Sequence, residues 1–198
     1  MLILNLLITN GALGDSDAIN IRRKLIENDK VEAIIVLPRE LFITTDISVT
    51  LWILNQNKKG GMYHGRTLRN REHEILFIDL RQWTVHPVKG EQKKKVELKA
   101  DQIKRATDIY LQWQAEGTNG LNYAEPELYR SVGIEELAKN DYSLVPSRYI
   151  EFVDRDSDID YHRVLTETSK TVSDLLARQK KNDETIRNAL KQLGYGIE

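Results

Sequence analysis

Two periods of apolar and polar residues divide this 198-residue chain into predicted strands and helices. Mostly apolar runs of strand length occur at Leu2–Ile8, Val31–Leu37, Ile47–Leu54 and Glu74–Leu80. Residues 18–28 instead repeat apolar residues at helical spacing, which predicts an amphipathic helix between the first two strands. Strand, helix and strand in this order predict a βαβ unit with a right-handed crossover. The strand from Ile47 follows a short loop, so it should run antiparallel to Val31–Leu37.

On the predicted helix 18–28, Arg22, Arg23 and Lys24 are expected to face outwards, opposite the apolar side. Residues 57–71 are predicted to form a polar, glycine-containing loop.

The second half of the chain is predicted to be mostly helical. A charged linker at Lys89–Lys99 leads to a helix over residues 100–116. A short strand at Tyr129–Val132 and a short helix at Ile134–Lys139 follow. The segment Leu144–Arg148 contains Pro146 and is expected to be extended.

One long helix is predicted from Asp160 to Leu193, with Gly194 as a candidate C-cap. Its seam positions alternate in steps of three and four residues, which is a heptad pattern: Leu165, Thr168, Val172, Leu175, Gln179, Asn182, Ile186, Ala189 and Leu193. Leu176 and Leu190 widen this stripe. A long helix with one apolar stripe needs a partner surface. The stripe alone leaves two alternatives open, packing against its own domain or docking on another chain.

Composition limits the protein class. Hydrophobic residues make up 40% of the chain and charged residues 30%, which is typical of a globular protein without a membrane segment. Met1–Ile8 has no basic residues before it and is predicted to be a buried strand, not a signal peptide. The absence of cysteine excludes disulfides and thiolate zinc sites and is consistent with a cytoplasmic protein. The net charge of −1 argues against binding of duplex DNA by this chain alone.

Other chemical patterns are weak. The aspartates at 154, 156, 158 and 160 resemble the start of a calcium loop, but Ile159 and Leu165 occupy the positions that require Gly and Glu. The four histidines have no metal-ligand spacing, so no metal site is predicted. No arrangement of nucleophile and base can be singled out, and no catalytic residue is assigned.

The candidate chemistry lies between Val31 and Asn55. The loop between these two strands holds Pro38, then Leu41 and Phe42. Ligands bind at the ends of the strands in open α/β sheets, so an aromatic residue in this loop is well placed to contact one. The alternative is that Phe42 only packs beneath a helix.

Three sequence blocks resemble those of one family. They are IIVLPRELFITTDISVTLWILNQNK, ELAKNDYSLVPSRYIEF and RQKKNDETIRNALKQLGYG. All three are similar, in the same order, to the methylation (M) subunits of type I restriction–modification systems. Those subunits are adenine-N6 DNA methyltransferases that use S-adenosylmethionine. The resemblance implies that Phe42 and Pro38 belong to the target-adenine pocket, where an extruded base stacks on an aromatic ring.

The resemblance also implies a fold. It is α/β: a partial Rossmann-like S-adenosylmethionine-dependent methyltransferase sheet, followed by a helical C-terminal region with a long terminal helix. The expected divisions are residues 1–88 for the sheet, 89–159 for a linker with small helices, and 160–198 for a docking helix. The family's glycine-rich cofactor loop and its Asn/Asp-Pro-Pro-Phe/Tyr loop are both missing. We therefore expect the C-terminal part of an M subunit, inactive in isolation and binding no cofactor itself, although the intact enzyme uses S-adenosylmethionine.

The implied partners are the specificity (S) subunit, the restriction (R) subunit and DNA in the intact complex. The residues expected to dock on the S subunit lie on the terminal helix: Leu165, Val172, Leu175, Leu176, Ile186, Leu190 and Leu193. The first strand, Leu2–Ile8, should lie at an open sheet edge, which predicts self-association or disorder there. An alternative function is a non-catalytic interaction module that docks on the S subunit.

Overall fold

The contacts of the chain divide it into two units, Met1–Val153 and Asp154–Glu198. The computed structural model describes residues 3–42, 47–83, 97–153 and 160–195. The predicted linker at Lys89–Lys99 and the aspartate series at 154–160 therefore lie largely outside the described residues.

The first unit is built on a six-stranded mixed sheet and a separate hairpin. The strands in chain order are β1 (Ile3–Thr9), β2 (Val31–Val36), β3 (Val49–Asn55), β4 (Gly61–Tyr63), β5 (Arg66–Leu68), β6 (Glu74–Asp79), β7 (Ala124–Glu125) and β8 (Tyr129–Gly133). The order across the sheet is β1-β3-β2-β6-β8-β7, and β4 pairs with β5. The β7 and β8 strands, which follow residue 88, thus belong to the same sheet as β1.

Four strands of the sheet share one direction, namely β1, β2, β6 and β7, since β6 and β7 both pair antiparallel with β8. β1 and β2 both pair antiparallel with β3, and β2 pairs parallel with β6. The antiparallel pairing of β2 with β3 confirms the prediction, and β3 is inserted between the two strands of the βαβ unit. The carboxyl ends of β1, β2 and β6 consequently lie along one edge of the sheet, which we call the carboxyl edge.

The helices agree closely with the sequence periods. They are α1 (Ile19–Glu27), α2 (Ala100–Gln114), α3 (Ile134–Lys139) and α4 (Tyr161–Gln192). Apolar residues form one cluster on each face of the sheet. The first contains Ile26 of α1 and Leu137 of α3. The second contains Ile109 and Trp113 of α2.

The α2 face of the sheet becomes more exposed towards β1. Ile78, Ile35, Leu51 and Leu7 lie side by side across β6, β2, β3 and β1. Ile78 and Ile35 are buried, Leu51 is half-buried and Leu7 is 56% exposed. In the described residues β1 pairs only with β3, so it is an edge strand, as expected.

Two local predictions were wrong. Residues 57–71, predicted to be a loop, contain the β4–β5 hairpin. Its turn residues His64 and Gly65 have φ of 45° and 74°, as a type I′ turn requires. Pro146–Arg148, predicted to be extended, forms a 3₁₀ turn. Proline restricts the residue before it, and Val145 is indeed extended, whereas proline itself suits a first helical position.

A buried charge network connects β2, β3 and β6 at their ends opposite the carboxyl edge. Lys58 Nζ donates to Asp29 Oδ1 at 2.6 Å, to the Val31 carbonyl at 3.0 Å and to the Glu74 carbonyl at 2.7 Å. These three bonds use all three ammonium protons. Burial lowers the pKa of Lys58, with the Asp29 carboxylate opposing this shift.

Glu32 is a second anion of the same network, beside Asp29, and is fully buried. Its Oε1 accepts from Arg71 Nε at 3.1 Å and from Gln114 Nε2 at 2.8 Å. Its Oε2 accepts from the side-chain amide of Asn55. Strands β2 and β3, the segment before β6, and α2 therefore share one carboxylate.

The second unit contains α4, which is capped at both ends. The Asp160 side chain accepts from the Arg163 backbone N–H at 3.0 Å. At the other end, Gly194 has φ of 81°, and Tyr195 N–H donates to the Leu190 carbonyl at 2.9 Å. This is a Schellman motif, which confirms that the helix ends before Gly194.

We predict that Glu32→Gln lowers the free energy of unfolding by about 3 kcal/mol, because the Arg71 guanidinium is then buried without a counter-charge. Urea unfolding followed by tryptophan fluorescence would measure this. The control is Glu116→Gln, which changes an exposed carboxylate and should leave the midpoint unchanged. Equal effects of the two variants would contradict the assignment.

Candidate functional site

The loop after β2 holds both residues assigned to the adenine pocket. Pro38 is buried, and Phe42 is 36% exposed, in contrast to the fully buried core residue Phe77. Residues 43–46 lie outside the described part of the chain. Phe42 is thus a partly exposed aromatic residue in a loop that follows the carboxyl edge, and its role in base binding stays a prediction.

Two hydroxyl groups hold the carboxyl edge together. Ser48 Oγ donates to the Leu37 carbonyl at 2.6 Å, at the start of the Phe42 loop. Thr50 Oγ1 donates to Asn10 Oδ1 at 2.6 Å. Because Thr50 lies between β1 and β2 in the sheet, its bond fixes the Asn10 side chain at the end of β1. The loops after β1 and β2 are therefore anchored by Thr50, within β3, and by Ser48, the residue just before β3.

Arg22 anchors the loop after β1, which corrects the expectation that it faces outwards. It is only 3% exposed. Its Nη1 donates to the carbonyls of Ala12 at 3.1 Å and Asp15 at 2.6 Å, and its Nε donates to the Tyr142 carbonyl at 3.4 Å. Burial lowers the pKa of Arg22, and Asp15 opposes this shift.

A charged pair follows β6 at the same edge. Asp79 is 5% exposed and binds Arg81, with Nε–Oδ1 and Nε–Oδ2 distances of 2.9 and 3.0 Å. Asp79 also accepts the Arg81 backbone N–H at 3.0 Å. The carboxylate raises the pKa of Arg81. The pair stiffens the turn after β6 and presents little net charge.

Sequence reasoning missed most of these edge residues: Asn10, Arg22, Ser48, Thr50, Asp79 and Arg81. Position supplied one usable signal, since Asn10 and Asp79 are polar residues at the ends of apolar runs. The bonds of Arg22 to distant backbone carbonyls leave no comparable pattern in the sequence.

Two cavities of the described residues lie away from the Phe42 loop. One of about 600 Å³ lies where β6 begins and β8 ends, and is lined by residues of both charges, including Glu74, Arg130 and Lys139. Another of about 180 Å³ lies between Leu4, Leu25 and Leu54, under the edge strand β1. Neither is lined by Phe42 or Pro38.

The docking residues assigned to α4 are exposed. Every residue of this helix is at least partly accessible in its own unit, and none is buried. Six of the seven assigned residues are 48–71% exposed, and Leu190 is half-buried. The members of the exposed group are Leu165, Val172, Leu175, Leu176, Ile186 and Leu193.

Comparison with protein families identifies the chain. Residues 4–158 match the family described as N-6 DNA Methylase. The chain belongs to the N-6 DNA methylase family. The match begins in β1 and covers the whole sheet, so the methylase resemblance drawn from the three sequence blocks is confirmed.

Curated relatives of this N-6 DNA methylase chain are type I methylase subunits. It is 29% identical to the Type I restriction enzyme HindI methylase subunit of Haemophilus influenzae over 195 residues, which are 96% of this chain and 40% of the relative. It is 33% identical over 148 residues to the Type I restriction enzyme MjaVII methylase subunit of Methanocaldococcus jannaschii, covering 74% of this chain and 22% of the relative. The methylase chain thus spans well under half the length of these relatives.

Solved structures show the same fold. A type I restriction–modification methyltransferase subunit from Streptococcus thermophilus matches with a TM-score of 0.59 and 20% identity, over 76% of this chain and 27% of that one. A chain from a study of assembly and conformational transition in the type I R-M system matches with a TM-score of 0.51 and 16% identity, over 94% and 36% of the two chains. The predicted α/β methyltransferase fold with a long terminal helix is confirmed.

The described residues contain no candidate for a membrane-spanning helix or a metal centre. None of their helices combines the length and apolar character needed to cross a membrane. No group of three or more His, Cys, Asp or Glu side chains in this part of the chain is arranged to hold a metal ion.

We predict that Arg22→Met destabilises the first unit by about 2 kcal/mol, because three backbone carbonyls lose a charged donor. Amide hydrogen exchange should accelerate in residues 10–17. Arg23→Met is the matched control on the same helix, since Arg23 is exposed and pairs with Glu27 and the ring of Tyr142. Similar exchange rates in the two variants would show that Arg22 does not hold this loop.

Proposed function

We propose that this chain carries part of the target-adenine pocket and the subunit-docking helix of a type I adenine-N6 DNA methyltransferase. The observation that carries the proposal is the family match over residues 4–158, together with type I methylase subunits among the relatives. In the intact enzyme the partners are the S subunit, the R subunit and DNA.

The pocket assignment is supported by the placement of Phe42. Its loop starts at the carboxyl end of β2, beside the Ser48 and Thr50 anchors. A partly exposed ring at this edge can stack on an extruded base, while buried Pro38 fixes the backbone where the loop leaves the sheet. The chain supplies the aromatic wall of the pocket and does not supply the catalytic loop.

The cofactor assignment is supported by the family resemblance and by the motifs that the sequence lacks. S-adenosylmethionine donates the methyl group in the intact enzyme, and the family holds it with a glycine-rich loop after its first strand. This chain lacks that glycine-rich loop. Its four prolines include no adjacent pair, so it lacks the Asn/Asp-Pro-Pro-Phe/Tyr loop as well. The chain therefore contributes to binding of the base, and another part of the enzyme binds the cofactor.

A second candidate function is a non-catalytic interaction module that docks on the S subunit. The observation favouring it is the exposed apolar stripe on α4, a helix capped at both ends. Such a module would occupy the S subunit without methylating DNA.

The first test is co-expression with the S subunit of the same system, followed by size-exclusion chromatography with light scattering. Docking predicts a stable complex. Leu175→Asp, Ile186→Asp or Leu190→Asp should each abolish the complex. An apolar side chain that becomes buried on docking contributes roughly 2 kcal/mol to the binding free energy. Ser173→Asp, outside the heptad seam of α4, is the control. If the complex survives all three substitutions with the first unit folded, the docking assignment is wrong.

The cofactor proposal has its own test. Isothermal titration of the chain with S-adenosylmethionine should give no binding heat above that of dilution. Saturable binding to this chain would contradict the proposal.

A further inference from the structure

The apolar stripe of α4 is interrupted by one polar turn of helix. In heptad notation, Leu165, Val172, Gln179, Ile186 and Leu193 occupy a positions, and Thr168, Leu175, Asn182 and Ala189 occupy d positions. Gln179 and Asn182 are thus the amide residues of the seam. Arg178, at g, and Asp183, at e, lie beside them. We call these four residues the polar turn: Arg178, Gln179, Asn182 and Asp183.

The flanks of the seam carry charge only at the polar turn. The other e and g positions are apolar or uncharged: Val164, Ser169, Thr171, Leu176, Thr185, Leu190 and Gln192. Arg178 and Asp183 are both exposed. Among the described residues neither has an ion-pair partner. By contrast, Arg163 and Glu167 form an ion pair on the same helix, with Nε and Oε1 4.0 Å apart.

We propose that two copies of this chain associate through α4 as a parallel, in-register, two-stranded coiled coil. Arg178 of each copy then faces Asp183 of the second copy, and the amides of the polar turn meet across the seam. This inference goes beyond the proposed function, since it gives the same stripe a second occupant. The second copy and the S subunit would compete for one surface.

The seam residues favour two parallel strands. Val172 and Ile186 are β-branched at a positions, and Leu175 lies at d, the combination that favours parallel dimers. In a parallel pair a g residue faces the e residue five positions later on the partner helix, and Arg178 and Asp183 have this spacing. In an antiparallel pair g faces g, so Arg178 would have no acidic partner.

The polar turn also fixes the register. In the parallel in-register dimer, each amide of Gln179 and Asn182 meets its own counterpart and can hydrogen-bond to it. A slip of one heptad would place Gln179 against Val172 or Ile186 of the second copy. A buried amide facing an aliphatic side chain loses its partner, which is unfavourable. The 32 residues of α4 correspond to a coiled coil about 48 Å long.

Sedimentation velocity over a concentration series of the full chain tests the proposal. A reversible dimer is expected. Arg178→Glu should raise its dissociation constant about ten-fold, because two favourable pairs become repulsive. The double variant Arg178→Glu with Asp183→Arg restores opposite charges and should return the constant to within about two-fold of the original.

Two further variants locate the interface. Leu175→Glu should give a monomer, and Ser173→Glu, outside the seam, should leave the dimer intact. A monomer in the unmodified chain overturns the proposal. So does a dimer that survives Leu175→Glu, since association would then use another surface such as β1. Failure of the double variant to restore the dimer overturns the parallel orientation.

The outcome is distinguishable from the test of the proposed function. A monomeric chain that binds the S subunit rejects the dimer and keeps docking. A dimer that follows the charge pattern but never binds the S subunit supports the dimer and rejects docking.

Discussion

The buried charges at Lys58, Glu32 and Arg71 are the constraint on which the first unit depends. Lys58 donates hydrogen bonds to Asp29 before β2, to Val31 in β2 and to Glu74 in β6. Glu32 accepts hydrogen bonds from side chains of β3, α2 and the segment before β6. Desolvating such charges is costly, so the network tolerates only a geometry in which every member keeps its partners. It thereby fixes the mutual position of the central strands at one end of the sheet.

With that end fixed, the opposite edge can carry irregular loops. The loops after β1, β2 and β6 are held there by a few hydrogen bonds, donated by Arg22, Ser48 and Thr50 and accepted by Asp79. This division is common in α/β proteins, where rigid strands position loops that contact ligands. In this chain it separates the residues that determine stability from Phe42, the residue assigned to base binding.

Periodicity in the sequence was sufficient for elements with a strong local pattern. It located α1, α2 and α4, whose apolar residues repeat over several turns, and the central strands, which are apolar runs of strand length. It missed the β4–β5 hairpin, whose strands are three residues long, and it misplaced Arg22, whose partners are carbonyls remote in sequence. The loop position of Phe42 made it a candidate for ligand contact, but its assignment to the adenine pocket came from family resemblance. Long-range bonds to backbone atoms leave almost no trace in residue type.

The decreasing burial of the sheet from β6 towards β1 affects how the first unit unfolds locally. Ile78, Ile35, Leu51 and Leu7 lie in one row, and their burial falls from β6 to β1. Strands with little apolar cover and an unpaired side open at low free-energy cost. The sheet should therefore come apart from one side, with β1 separating before β3 and the β2–β6 pair persisting longest. Local unfolding of the first unit should therefore start at β1, because the apolar cluster on the α2 face ends before this strand.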